Sequence, residues 1–334
     1  MQHWHNLKTC NGHQKVFDAE TLKAIAAAKL WNIWVPKTHG GLELGLTEGL
    51  RTLQQLASID GSLGWTVTLC SGANYFIGNL QPETAAELFN PNDVTILGGS
   101  GGLFGFAEKK GDSYLLNGIW NYATGAPYLT HFTLNAKIIE DGIEVTDDDG
   151  APVFRSFVIP CEAVCIIDDW HTMGLKATAT QSFAVTDYLV HQDYSFIYNR
   201  FYLPQDIFKI NFRVFADLTL WINYIGMVQH YFAEASKLLD EKTLKDSHKT
   251  TTEAEDLLYK CANEVEAATA DNASFTDDQI EALHTAAADS VKGLSKILME
   301  LHPLLGIKAA RMEHPLNQIF RDYFTATQHH IFTR

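Results

Sequence analysis

Residues 107–126 read AEKKGDSYLLNGIWNYATGA, and how this stretch folds decides the architecture of the whole chain. Apolar and polar residues alternate through Tyr114, Leu115 and Leu116, then Ile119, Trp120 and Tyr122, which is the period of a half-buried strand. Asn117-Gly118 between the two runs is a hairpin turn signal, so the spacing predicts a β-hairpin centred there. The stretch ends in Ala123-Thr124-Gly125, a small-residue corner carrying one hydroxyl.

The β pattern extends outward on both sides of this hairpin. From Val94 to Val190, short apolar runs alternate with Gly, Asn and Asp, as in FTLNAKII, SFVIP and SFAVTDYLV. Upstream the period is helical: Phe17, Leu22, Ile25, Ala26 and Leu30, then residues 46–58 and 63–89, with SIDGS as a break and Pro82 as a first-turn proline. Downstream of Pro204 it is helical again. FADLTLWINYIGMVQHYFAEASKLL is apolar around most of its circumference, the mark of a helix buried in a bundle or at a subunit interface. Thr276 followed by Gln279 is a capping box at the head of a long helix. The predicted domains are therefore 1–92 (all-α), 93–196 (a β-barrel or sandwich) and 197–334 (a four-helix bundle).

A net charge of −15, with Asp147, Asp148 and Asp149 in one loop, argues against nucleic acid or an anionic membrane as partner. No apolar run approaches the roughly 20 residues of a membrane span, and MQHWHNLKTC is unlike a secretory leader, so the expected compartment is the cytoplasm. The five cysteines are scattered, Cys161 and Cys165 lack a second pair, and His3 and His5 stand at the extreme N-terminus, so no metal site is expected.

Five segments, in order, resemble the acyl-CoA dehydrogenase superfamily of flavoproteins. They are LWNIWVPKTHGGLEL, AEKKGDSYLLNG, MGLKATATQSFAVTDYLV, GMVQHYFAEA and HPLNQIFRD, and they cover nearly the whole chain. The resemblance implies that the hairpin forms a wall against a flavin, with Tyr122 beside the ring and the Thr124 hydroxyl reaching its N5. It further implies cofactor contacts from Trp120, Ala123, Gly125, Lys176, Thr178 and Gly306. Where the dehydrogenases of the family carry their catalytic Glu, this chain has His330, or Asn211 and Phe212 at the alternative positions. GGSGGLFGF replaces the family's Thr-Glu-Pro segment, and Glu241 stands where an Arg reaches the dinucleotide pyrophosphate.

These departures match a sister group, the two-component flavin-dependent monooxygenases. Asp60-Gly61-Ser62 with Trp65, Gly118 and Trp120 with YATG, and Arg321-Asp322 followed by His329 resemble that group's motifs. The resemblance implies an oxygenase component using FAD or FMN, reduced by a separate flavin reductase, on a small aromatic or other non-CoA substrate. Thr124 and His329 or His330 would face one flavin, His329 moving a proton with an ordinary imidazole pKa, and Phe104, Phe106 and Trp170 would line a dry pocket. A homotetramer or homodimer is implied, with the helix at 215–239 at an interface. The chain ends soon after His330, where the family's last helix continues. An acyl-CoA dehydrogenase with an atypical base and a flavin-free relative stand as alternatives.

Overall fold

The computed structural model describes residues 14–332; His3, His5 and Cys10 lie outside that range. Four helices open the fold: α1 (Ala19–Ala27), α2 (Leu46–Ile59), α3 (Gly61–Asn74) and α4 (Pro82–Leu88). Their ends follow local chemistry. Asp18 caps α1 by accepting from the Thr21 amide at 2.7 Å, and Pro82 takes the first turn of α4, where a missing N–H costs nothing. Asp60 breaks α2 from α3 by turning extended, and its carboxylate then accepts from the Leu63 amide at 2.9 Å. The two helices pack so closely that a Cβ on Gly64 would lie 2.5 Å from the backbone of Ala57.

Eight strands follow: β1 (Leu97–Lys110), β2 (Ser113–Ala123), β3 (His131–Glu140), β4 (Ile143–Glu144), β5 (Phe154–Pro160), β6 (Cys165–Ile167), β7 (Gln181–His191) and β8 (Ser195–Phe196). They form one sheet in the order β6-β7-β2-β1-β3-β5-β8, with β4 on β3; β1 and β3 run parallel and the other pairs antiparallel. The sequence predicts a barrel or sandwich; the ladders describe a single mixed sheet, with β6 and β8 at the ends of its path.

The hairpin turn does not fall at Asn117-Gly118. Lys110 pairs with Ser113, and the two-residue loop is Gly111-Asp112, with Gly111 at φ +62° in the first central position. Asn117 and Gly118 lie inside β2, where each has another task. Gly118 opposes Gly105, and a Cβ on either would strike the Trp120 ring or the facing backbone. Asn117 steadies a bulge against β7, exchanging hydrogen bonds with Asp187 at 2.9 and 3.1 Å.

The C-terminal helices are α5 (Phe212–Ala235), α6 (Glu241–Ala270), α7 (Asp277–Leu301), α8 (Ile307–Ala310) and α9 (Pro315–Ala326). The predicted capping box of α7 is present in full. α5 packs on α2, α3, α6, α7 and α9. Its apolar circumference, expected at a subunit interface, is thus covered by this chain's own helices, because a helix with neighbours on every side needs apolar residues all round. Among the described residues no helix is long and apolar enough to cross a membrane, the cysteines are free, and no grouping of side chains could hold a metal ion.

Candidate functional site

The corner at the end of β2 is built on unusual backbone. Tyr122 stands at φ +68° and leaves 58% of its surface exposed, with its ring edge-on to Trp170 at 5.9 Å. Gly125 follows at φ +78°, a conformation that glycine adopts freely, and its amide donates to the Thr178 carbonyl at 2.8 Å. Between them Thr124 is buried. Its Oγ1 lies 3.1 Å from that of Thr180, which lies 2.7 Å from that of Thr178, whose hydroxyl donates to the Leu175 carbonyl at 2.7 Å. Leu175 and Ala179, both in left-handed backbone, bracket the single turn carrying Lys176 and Thr178.

This loop is held from behind by α9. The Leu175 amide donates to Asp322 Oδ1, which also accepts from Gln318 at 2.7 Å. The Arg321 guanidinium donates to the Met173 carbonyl, to Asn317 and to Gln318. Gly174 lies against the α9 backbone so tightly that a Cβ would sit 2.2 Å from the Arg321 carbonyl oxygen. Burial, and then the neighbouring Asp60 carboxylate, push the Asp322 carboxyl up to about 7. Two of the three sequence motifs, Asp60-Gly61-Ser62 and Arg321-Asp322, therefore meet under the loop that carries the hydroxyl chain.

In front of the corner lies a cavity of about 150 Å³. Thr124 and the Gly98–Gly101 stretch of β1 form one wall, Thr68, Leu69 and Gly72 of α3 another, and Phe76, Phe196, Tyr198, Phe212 and Phe215 the aromatic remainder. No charged side chain lines it. The polar groups in its wall are mostly satisfied internally: Tyr198 donates to Asn135 Oδ1 at 3.1 Å, and Thr219 donates to the Phe215 carbonyl at 2.8 Å. Thr68 differs. Asn223 Nδ2 donates to its oxygen and to the Thr219 carbonyl, which fixes the amide orientation and leaves the Thr68 proton for a group inside the cavity.

The sequence-predicted residues divide accordingly. Tyr122, Ala123, Thr124, Gly125, Lys176 and Thr178 come together at the corner. Trp120 does not join them: its side chain is buried within the β region, stacked on Phe183 at 5.6 Å and donating to the Asn135 carbonyl at 2.8 Å. Gly306 lies in the turn before α8, with open space around it. Phe104 and Phe106, expected to line a dry pocket, are 51% and 48% exposed on β1, whereas the aromatic wall is formed by residues for which the sequence suggested no such role. Phe76, Phe212 and Phe215 stand in helical runs whose pattern is equally that of core.

His329 is half-buried beside Trp65, ring centroids 5.7 Å apart, with the exposed His330 stacked on its other side at 4.7 Å. Trp65, Leu69 and Gly72 recur at helical spacing along one face of α3, so His329 sits about one turn along that face from the cavity. Burial, reinforced by His330, holds the His329 imidazole down to about 4 rather than at its ordinary value. It is therefore neutral over the physiological range and takes up a proton only as pH falls through about 4. Activity profiles between pH 5 and 8 are expected to show no ionisation step that His329→Gln removes.

The family described as acyl-CoA dehydrogenase, C-terminal domain, matches residues 226–334. XiaF from Streptomyces sp., solved in complex with FADH2 and glycerol, superposes with a TM-score of 0.86 at 20% identity, covering 96% of this chain and 86% of its own. The chain has an acyl-CoA dehydrogenase-like fold, and its C-terminal third matches that family. Indole-3-acetate monooxygenase of Pseudomonas putida is 26% identical over 226 residues, covering 67% of this chain and 56% of that protein. The enzyme of the same name from Acinetobacter baumannii is 24% identical over 356 residues, covering 96% and 86%. The oxygenase subunit HsaA of Mycobacterium tuberculosis is 26% identical over 171 residues, 51% of this chain and 42% of its own length. The chain thus spans little more than half of the Pseudomonas protein and less than half of HsaA.

In this fold, the positions where the resemblance places a dehydrogenase's carboxylate base hold other residues. Asn211 caps α5, Phe212 lines the cavity and His330 is exposed. No Asp or Glu faces the cavity to remove a proton from a thioester. Glu241 is exposed in the first turn of α6.

Proposed function

We propose that the protein is the oxygenase component of a two-component flavin-dependent monooxygenase acting on small, uncharged aromatic molecules. The observation that carries this reading is the Thr124 corner opening on an aromatic cavity without charged groups. The residues fit a flavin ring: Tyr122 offers an exposed aromatic face, Thr124 a hydroxyl at the wall, and Gly125 a left-handed turn that brings backbone close. Lys176 is the cation of this corner for a phosphate, and Glu241 adds none, so the ring end of the cofactor is better provided for than the adenylate end. Reduced flavin supplies the electrons with which O2 is split between product hydroxyl and water. A flavin reductase regenerates it, and the family resemblance supports a homotetramer or homodimer working in the cytoplasm.

The cavity's size sets the substrate. A space of roughly 150 Å³ holds benzene in an engineered protein core, so one substituted ring fills this one. Desolvating a carboxylate without a cation to pair it costs several kcal/mol, so arylacetates and benzoates are excluded. The Thr68 hydroxyl donates to the substrate oxygen and fixes the ring's orientation. Neutral His329, beside the same face of α3, brings no charge to the cavity's surroundings.

The test is a single turnover of reduced protein–flavin complex with oxygen in the presence of phenol or phenylacetate, reading hydroxylated product against hydrogen peroxide. Product from phenol alone supports the reading; peroxide alone from every aromatic tried overturns it. Gly72→Leu is a second check. A Cβ there meets nothing nearer than Phe215 at 3.8 Å, so the larger side chain enters the cavity. Product is expected to fall at least tenfold with peroxide rising in its place, while the fold survives, because glycine inside a helix is unfavourable by about 1 kcal/mol.

A further inference from the structure

We propose that the hydroxyls of Thr124, Thr180 and Thr178 form a relay of fixed direction, which makes Thr124 a hydrogen-bond acceptor toward flavin N5 and so selects reduced over oxidised flavin. The proposal rests on the flavin reading above and assigns two residues, Thr178 and Thr180, a positioning role in it.

The direction follows from counting protons. A threonine hydroxyl has one proton and can accept as well as donate. A carbonyl can only accept, so the contact between Thr178 Oγ1 and the Leu175 oxygen uses the Thr178 proton. The 2.7 Å contact between Thr178 and Thr180 is then donated by Thr180, and the 3.1 Å contact between Thr180 and Thr124 is donated by Thr124. Thr124 has spent its proton inward, and only its lone pairs remain for a ligand. All three threonines are buried, so water does not scramble the order.

The anchor is held firmly. Leu175 sits in left-handed backbone at φ +50°, its amide donates to Asp322, and its carbonyl accepts from Trp170 Nε1 at 2.9 Å as well as from Thr178. The Thr178 amide reaches the same oxygen at 3.3 Å, and the carbonyl's two lone pairs serve the two shorter bonds. Reversing the chain would leave the Thr178 proton without that carbonyl.

Flavin N5 changes sign with redox state: reduced flavin carries N5–H, a donor, whereas oxidised flavin presents a lone pair, an acceptor. An acceptor at Thr124 pairs with the first and faces the second lone pair to lone pair. An oxygenase fed by a separate reductase must take up reduced flavin and let the oxidised form go, and the relay supplies that preference without a charge.

The experiment is anaerobic titration of the full chain with reduced and with oxidised FMN and FAD, together with the midpoint potential of bound flavin. The wild-type protein is expected to bind the reduced form at least tenfold more tightly, raising the two-electron potential by about 30 mV for each factor of ten. In Thr180→Val the Thr124 proton is freed to donate to oxidised N5, so the affinity ratio should fall about tenfold and the potential by about 30 mV. Thr178→Val, which lets Thr180 turn its own proton toward Thr124, should act the same way, and Thr180→Ser should restore the wild-type ratio. Valine variants that bind flavin with an unchanged ratio and potential overturn the relay. Wild-type protein that binds both forms equally also overturns it while leaving the flavin reading intact; protein that binds neither overturns that reading too.

Discussion

Asp322→Asn is expected to stabilise the protein progressively as pH rises from about 4 to about 7, with little difference in acid and a constant gain above neutrality. The carboxyl is buried between α9, the Leu175 loop and the head of α3, where Asp60 adds a like charge and Arg321 an opposite one. Burial first, then Asp60, raise its folded-state pKa to about 7. A carboxyl raised above its unfolded value gives stability that is present below the unfolded pKa and lost as pH rises through the folded one. The distance from the ordinary carboxyl value to about 7 is worth on the order of 4 kcal/mol. Asparagine keeps an oxygen to accept from the Leu175 amide and from Gln318 Nε2, so the loop stays docked without the charge. Urea unfolding of both proteins at pH 4.5 and 8.5 checks this. His329, which protonates only in stronger acid, and the surface groups cancel in the comparison. A gap that does not widen with pH would show that Asp322 is not carrying a buried charge.

The same residue shows what the sequence could and could not convey. Arg321-Asp322 and Asp60-Gly61-Ser62 stand out as motifs, yet nothing in either says that they meet, because their meeting depends on α9 packing on α3 across the fold. Local signals were legible where the physics is local: Pro82 in a first turn, the Thr276 capping box and the run of short strands. Asn117-Gly118 misled for the opposite reason. A glycine is required both by a turn and by a close approach, and Gly118 is there so that Gly105 and the Trp120 ring can come near. The turn is Gly111-Asp112, whose Gly-Asp pair is a weaker hairpin signal than Asn-Gly.

The site was half legible. Thr124, Gly125 and Thr178 are reached through motif resemblance, and the structure adds the direction of their hydrogen bonds, which requires knowing that a carbonyl lies at the end. The aromatic wall was not legible, because a Phe at helical spacing in a buried segment reads as core whichever surface it faces. Phe212 and Tyr198 stack at 4.9 Å across an α5–loop contact that no periodicity specifies. Phe104 and Phe106 failed in the reverse sense: each alternates correctly along β1 but points to the exposed side, a choice that hinges on register after the bulges at Ser100 and Leu103.

Gly174→Ala is expected to destabilise the protein by about 3 kcal/mol or more and to weaken flavin binding with it. The backbone at this position does not need glycine for its φ; it needs the space. An alanine Cβ would lie 2.2 Å from the Arg321 carbonyl oxygen and 2.5 Å from the Asp322 amide nitrogen, both fixed in the middle of α9. Neither can swing aside as a flexible side chain would, so the loop must lift. Lifting breaks the Leu175–Asp322 and Met173–Arg321 hydrogen bonds, strands the Leu175 amide and removes the carbonyl on which the three-threonine chain ends. Gly293→Ala provides the contrast, since nothing lies within 4 Å of a Cβ in α7 and alanine favours the helix by up to about 1 kcal/mol. Thermal unfolding and reduced-flavin titration of both variants separate the outcomes. Loss of stability and affinity together in Gly174→Ala places the cofactor corner under the control of α9. Loss of stability with affinity intact would mean that the corner holds its shape without the clamp, and the Thr124 hydroxyl chain would then owe its direction to Trp170 and the local turn alone.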